Sequence, residues 1–123
     1  MLGHKMRDFK CHNAVSLNNL VPEENFYRCV EKCIDLSFVR DLVIDFYSDM
    51  GRPSIDPAVF FKLQLIAFFE GIRSERQLME MVNLNLAYRW YIGYDLDEPV
   101  PDHSSLSKIR DHFGLVVFQR FFE

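Results

Sequence analysis

The chain has 123 residues and is 49% hydrophobic and 26% charged, which is the length and balance of one ordinary globular domain. Its formal net charge of −4 excludes a protein whose whole surface attracts nucleic acid, so any contact with DNA has to be local. No window approaches the roughly 18 to 20 apolar residues that a membrane span needs, and the amino terminus lacks the pattern of a signal peptide. We therefore expect a cytoplasmic protein without a membrane partner.

The amino-terminal part of the chain divides into a leader and a first pair of helices. Residues 1–19 carry no sustained period, so we predict an irregular leader there and one helical domain at residues 20–123. Pro22 followed by two glutamates is typical of a helix start. Apolar residues recur at helical spacing from Phe26 to Ile34 and again from Phe38 to Tyr47, which predicts a helical hairpin.

A longer helix is predicted from Ala58 to Glu70, after a loop rich in glycine and proline. Asp56 is placed to cap this helix, Pro57 to occupy its first turn, and Gly71 to end it in a left-handed conformation. The segment is apolar nearly all round. This pattern predicts a central helix that packs on several sides.

Two shorter helices follow at once. Ser74 and Gln77 have the spacing of a capping box, which predicts a helix to about Val82. A three-residue turn at Asn83–Asn85 then leads into a helix at Leu86–Ile92 that ends at a glycine. Within the second of these helices, the single tryptophan shares a face with the first residue, so we expect Trp90 to be buried and structural.

The last predicted helices lie beyond an acidic, proline-containing loop. Asp102 or Ser104 is placed to cap a helix from about Ser105 to Phe113, and residues 115–123 begin another apolar helical segment. Strand signals are weak throughout the chain. The sequence therefore predicts an all-α fold, a single compact bundle of six or seven helices.

Catalytic and metal-binding motifs are scarce. The chain has no phosphate loop, no zinc-binding helix and no nucleophile elbow. Asp102, His103 and Ser104 are neighbours at a helix start, where side chains point in different directions, so we interpret them as capping residues and not as a triad. We predict no catalytic residue, no cofactor and no small-molecule substrate.

The three cysteines suit a reducing compartment, because an odd number argues against a disulfide framework. Cys29 and Cys33 lie four residues apart on one face of a predicted helix, with Cys11 and His12 upstream, so four candidate zinc ligands are available. Their spacing differs from the close cysteine pair of a zinc knuckle. We interpret the cysteines as small packing residues and predict no metal site.

DNA recognition is the function that the sequence favours among those with a recognisable pattern. The two short helices and the turn between Arg73 and Gly93 have the outline of a helix-turn-helix-like unit. In the following capped helix, donors and cations outnumber acids. The candidate DNA-binding residues are Arg73, Arg76, Arg89, Ser104, Ser105, Lys108 and Arg110.

An ordinary solvated surface is the alternative interpretation of these residues. Arg73 and Arg76 lie within three or four residues of Glu70, Glu75 or Glu80, so they are also placed to form ion pairs along and between helices.

Four sequence blocks follow one another along the chain. They are GRPSIDP at 51–57, GIRSERQL at 71–78, NLAYRW at 85–90 and PDHSSLSK at 101–108. In this order they resemble the amino-terminal (InsH-like) domain of bacterial insertion-sequence transposases, and the resemblance covers about Leu20 to Glu123.

The resemblance implies an all-α region that binds the terminal DNA of the element. In such transposases an RNase H-like core follows, whose three acidic residues hold divalent metal for strand cleavage and transfer. Those acids normally lie beyond the segment that corresponds to Phe118–Glu123, so the resemblance implies a truncated chain that is not itself an enzyme. The segment Lys108–Phe113 is less basic than its counterparts in relatives.

Two functions remain open on this basis. The first is a DNA-binding module whose partner is the terminal repeat of the parent element. The second is an oligomerisation or regulatory module that acts on full-length transposase or on a second copy of itself, through the apolar segment LVVFQRFFE at 115–123.

Overall fold

The computed structural model of the protein describes residues 2–11, 14–39, 41 and 55–111. Within these residues every element of regular secondary structure is a helix and none is a strand, which confirms the all-α fold. Residues 38, 39 and 41 are helical, whereas most of the predicted Phe38–Tyr47 helix and the segment 115–123 lie outside the described residues. The helices are α1 at Leu17–Leu20, α2 at Phe26–Cys33, α3 at Pro57–Glu70, α4 at Glu75–Leu84, α5 at Leu86–Ile92 and α6 at residues 103–111.

The boundaries of α3 and α4 follow the capping residues that the sequence displays. The Asp56 carboxylate accepts the Ala58 N–H at 2.8 Å, directly before the proline that opens α3. Gly71 ends α3 with a φ of 68°, in the left-handed region that favours glycine. The Ser74 hydroxyl accepts the Gln77 N–H at 3.3 Å and begins α4.

The start of α2 differs from the prediction. Pro22 only forms a turn, in which its carbonyl accepts the Asn25 N–H at 3.1 Å. Asn25 is the capping residue, because its side chain accepts the Tyr27 N–H at 2.9 Å. An asparagine supplies the side-chain acceptor that the first helical N–H groups need, and a proline followed by glutamates does not.

The joint between α4 and α5 is shorter than the predicted three-residue turn. α4 continues to Leu84, and Asn85 alone separates it from α5. The N–H of Asn85 donates to the Met81 carbonyl at 2.9 Å, while its side chain accepts the Tyr88 N–H at 3.1 Å. One residue therefore ends one helix and begins the next.

α5 lies at the centre of the described fold and packs against α1, α2, α3 and α4. Its Tyr88, Tyr91 and Ile92 join one core together with fully buried residues of α3. α3 is covered on several sides as predicted, except at its carboxyl end, where Phe68 and Phe69 are exposed. The central position thus belongs to a helix of only seven residues and not to the most apolar helix.

Arg28 fastens the end of the leader to this core. Its guanidinium is buried and donates to the Val21 carbonyl at 2.8 Å, to the Pro22 carbonyl at 3.1 Å and to the carbonyl of Asn18. Its cationic carbon lies 4.5 Å from the centre of the Trp90 ring. The indole N–H in turn donates to the Asn18 side chain at 3.0 Å.

The leader and the tryptophan both differ in detail from the predictions. α1 forms within the segment predicted as irregular, and Leu17 is buried. Trp90 is half-buried and Leu86 is exposed, because the core face of α5 is formed by the neighbouring tyrosines. The predicted burial of Trp90 is therefore wrong, because its ring packs at the edge of the core over Arg28 and does not fill the core.

The cysteines are exposed, so their interpretation as packing residues is wrong. α2 turns Tyr27 and Val30 to the core, which leaves Cys29 and Cys33 on its solvent side with their Sγ atoms 3.8 Å apart. No group of three or more potential ligands among the described residues is placed to hold a metal ion.

We predict that Arg28→Met lowers the free energy of unfolding by about 2 to 4 kcal/mol, because it leaves buried carbonyls without their donors. Urea denaturation measures this loss, and the emission of Trp90 should move to longer wavelength as its ring loses cover. The matched control is Arg76→Met, which changes an exposed arginine and should stay within about 0.5 kcal/mol of the wild type. An equal effect of the two substitutions would contradict the role of Arg28.

We also predict a loss of stability in alkali. Burial, with the charge of Glu31 second, raises the pKa of Tyr91 to about 12. Burial, with the hydrogen bond to Glu70 second, raises the pKa of Tyr27 as well. Because the native state holds both tyrosines protonated, their contribution is complete below about pH 10, the ordinary tyrosine value, and is lost as the pH rises through the native values.

The substitution Tyr91→Phe tests this pH dependence. The Tyr91 hydroxyl is buried and has no hydrogen-bond partner among the described residues, so its removal should cost little at pH 7. The variant should lose less stability than the wild type when urea midpoints are compared between pH 9 and pH 11. A parallel decline of the two proteins over that interval would refute the assignment.

Candidate nucleic-acid interface

Glu75 joins α6 to the first turn of α4. Its carboxylate forms an ion pair with Arg110 and accepts a hydrogen bond from the Ser107 hydroxyl, and only 15% of its side chain is exposed. Leu106 and Ile109 are buried on the inner face of α6. These contacts fix which side of α6 faces solvent, and they occupy part of the Arg110 guanidinium, which stays half-exposed.

The outer face of α6 carries two of the predicted residues. Ser104 and Lys108 are exposed and lie one helical turn apart, opposite the buried pair. Lys108 forms no ion pair with any described residue, although Asp111 follows one turn later. This lysine is therefore available to an anion from solution.

The start of α6 is already capped. The helix begins at residue 103, two residues before the predicted start, and the Asp102 carbonyl accepts the N–H of half-buried Ser105 at 3.0 Å. The Ser104 hydroxyl donates to the Asp102 carboxylate at 2.9 Å, and this hydrogen bond lowers the pKa of Asp102. The His103 Nε2 lies 3.7 Å from the same carboxylate. A catalytic triad would require the serine hydroxyl to bond to the histidine, whereas the Ser104 hydroxyl bonds to the acid.

Arg73 and Arg76 lie at the start of α4, on the side that α6 adjoins. Arg73 is exposed and has no hydrogen bond or ion pair with a described residue. It lines a pocket of about 60 Å³ together with Arg110 and Gln64. Arg76 lies 3.7 Å from Glu80, which is the intrahelical pairing that the alternative interpretation predicts.

Arg89 lies apart from the other predicted residues and is 7% exposed. Its guanidinium donates to the Asn83 carbonyl at 2.9 Å and to the Asn83 side chain at 2.6 Å. It also donates to the carbonyls of Asp95 and Glu98 at 2.7 and 2.8 Å. Arg89 therefore ties the acidic loop to the joint between α4 and α5, and these bonds engage its donors inside the protein.

The position of α5 bears on the helix-turn-helix-like prediction. Four helices surround α5, and its Tyr88, Arg89, Tyr91 and Ile92 are buried. A recognition helix has to present a side-chain row to the major groove. The second helix of the predicted pair buries four of its seven residues, and its exposed Leu86 and half-buried Trp90 carry no charge, so the helix-turn-helix-like unit is not confirmed. The exposed cations of this region lie at the start of α4 and on α6.

Sequence reasoning did not identify the structural role of either buried arginine. Arg28 and Arg89 both satisfy loop carbonyls, and neither position carries a local signal, since the acceptors are fixed by the folded path of the chain. A cleft of about 500 Å³ between α4, the loop at 99–102 and the first residue of α6 carries charges of both signs, with Arg76, Glu80 and His103 among its lining residues.

Comparisons with known proteins agree with the resemblance seen in the sequence. No curated protein and no solved structure matches the chain. Among the described residues, no helix is both long and apolar enough to cross a membrane. A family described as a transposase domain (DUF772) does match, over residues 15–112, a range that contains every helix from α1 to α6. Because this match spans most of the chain, the protein belongs to the transposase domain family DUF772.

Proposed function

We propose that this transposase-family domain binds the terminal DNA of its parent insertion sequence through the surface formed by the start of α4 and the outer face of α6. The observation that supports this proposal most directly is that Arg73 and Lys108, on adjoining elements, are exposed cations without an acidic partner among the described residues. Around them we place Arg76, Arg110, Ser104 and Ser105 as weaker contacts. Arg89 is left out of the contact set, because its donors hold the fold together.

We expect the lysine and arginine side chains to contribute more to DNA binding than the N–H groups at the amino end of α6. Phosphate contacts from lysine and arginine position a protein on DNA and make its affinity depend on salt. The amino end of α6 already receives the Asp102 carboxylate, so its N–H groups are less available to a phosphate. Arg110 has to divide its donors between Glu75 and a phosphate, which reduces its contribution.

The acidic surroundings set the strength of the proposed binding. The chain has a net charge of −4, and Glu80, Asp102 and Asp111 lie beside the cations. We therefore propose a weak, local contact that other parts of a full transposase strengthen. The chain is proposed to act in the cytoplasm, where the DNA is, and no catalytic role is proposed for any of its acids.

We predict that Lys108→Ala and Arg73→Ala each weaken binding to a labelled duplex of the parent element's terminal repeat by roughly threefold to tenfold. Each should also reduce the slope of log affinity against log salt by about one, because each removes one phosphate contact. Fluorescence anisotropy at several salt concentrations measures both quantities.

Lys32→Ala serves as the matched control, since Lys32 is an exposed cation on α2, outside the proposed surface. It should leave the affinity and the salt slope unchanged. If the wild type fails to bind at low salt, the DNA-binding proposal is wrong. If Lys32→Ala weakens binding as much as Lys108→Ala does, the contact is not located on α4 and α6.

A further inference from the structure

Three phenylalanine rings form an exposed aromatic patch where α2 begins and α3 ends. The Phe26 and Phe69 rings meet edge to face at 5.1 Å, and the Phe68 and Phe69 rings at 5.7 Å. Phe26, Phe68 and Phe69 are 52%, 72% and 37% exposed, although large apolar side chains are usually buried. We call these three residues the aromatic patch.

The aromatic patch rests on a fixed base. Tyr27 is buried below it, with its ring 5.2 Å from Phe26 and 6.5 Å from Phe69. The Tyr27 hydroxyl donates to Glu70 at 2.7 Å, which connects the start of α2 to the end of α3. A surface that is ordered before binding costs little conformational entropy when a partner docks, so the patch is suited to binding.

The leader contains a second set of exposed apolar side chains. Leu2, Met6 and Phe9 are 99%, 68% and 82% exposed, and the backbone of residues 2–11 is not helical. Their spacing of four and three residues would place all three on one face of a helix. So short a segment does not hold a helix by itself in water, but segments of this kind fold when they dock in a groove.

The leader, as a helix, and the aromatic patch are similar in length and opposite in the charge of their borders. A helix rises about 10 Å over the seven steps from Leu2 to Phe9, which is close to the combined length of the two ring-to-ring steps of the patch. On such a helix Lys5 and Lys10 flank the apolar face on opposite sides. The aromatic patch is bordered in sequence by acids, which are Glu23, Glu24 and Glu70.

We propose that the leader of one copy of the protein folds into a short helix on the aromatic patch of a second copy, and that the reciprocal contact closes a symmetric dimer. The apolar side chains of the leader and of the aromatic patch are both exposed, so the chain carries two complementary surfaces that are largely uncovered. When two copies exchange their leaders, the leader and the aromatic patch of each copy are covered. The assembly then closes at two copies. This inference is independent of the proposed DNA contact, which lies on α4 and α6.

The first test is the self-association of the full chain, measured by sedimentation equilibrium over a wide concentration range. The wild type should form dimers at micromolar concentration. Phe68→Ser in the patch and Phe9→Ser in the leader should each weaken dimerisation at least tenfold, with unchanged circular dichroism, because both side chains are largely exposed. Leu84→Ser, a similar change at an 83% exposed position outside both surfaces, should have no effect.

A charge exchange tests the docking itself. The double change K5E/K10E should weaken the dimer, and so should E23K/E24K, because each places like charges on both sides of the contact. The chain that carries all four changes should dimerise again, since attraction is restored with opposite sign. Failure of the combined variant to recover would overturn the proposed pairing.

A mixing experiment separates docking on a second copy from docking on the same chain. The Phe68→Ser chain keeps an intact leader, and the Phe9→Ser chain keeps an intact patch. When the two are labelled at their carboxyl ends with different fluorophores, energy transfer should rise on mixing above the level of either variant alone. A monomeric wild type, or no gain on mixing, would refute the second-copy arrangement.

Discussion

The burial of α5 among four other helices is the constraint on which the described fold depends. A seven-residue helix is too short to be stable alone, so its existence rests on packing and on its ends. Tyr88, Tyr91 and Ile92 supply the packing. Asn85 caps the amino end of the helix, and Gly93 ends it in a left-handed conformation. The length of the helix is therefore fixed at both ends.

Two buried arginines complete this arrangement in the same way. Arg28 and Arg89 each bring a guanidinium to a loop whose carbonyls have no partner in a helix or strand. A planar group with several donors can satisfy two or three such carbonyls together, which a lysine cannot do equally well. Both cations are consequently withdrawn from the surface.

Helix boundaries that depend on residues close in sequence could be predicted. Contacts between residues that are distant in sequence could not. The caps of α3 and α4 and the glycines that end α3 and α5 act within about four residues, so Asp56, Ser74 and Gly71 could be identified directly. By contrast, Trp90 bonds to Asn18, and the burial of Arg89 depends on the path of the acidic loop. For the same reason the predicted DNA-binding set combined surface cations with one that holds the core.

The single-residue joint at Asn85 also fixes the rotational phase of α5 relative to α4. One inserted residue advances a helical face by about 100°. An insertion at this joint would therefore turn the buried tyrosines of α5 away from the core and bring Leu86 or Trp90 inward. The spacing between Met81 and Tyr88 is therefore set by geometry.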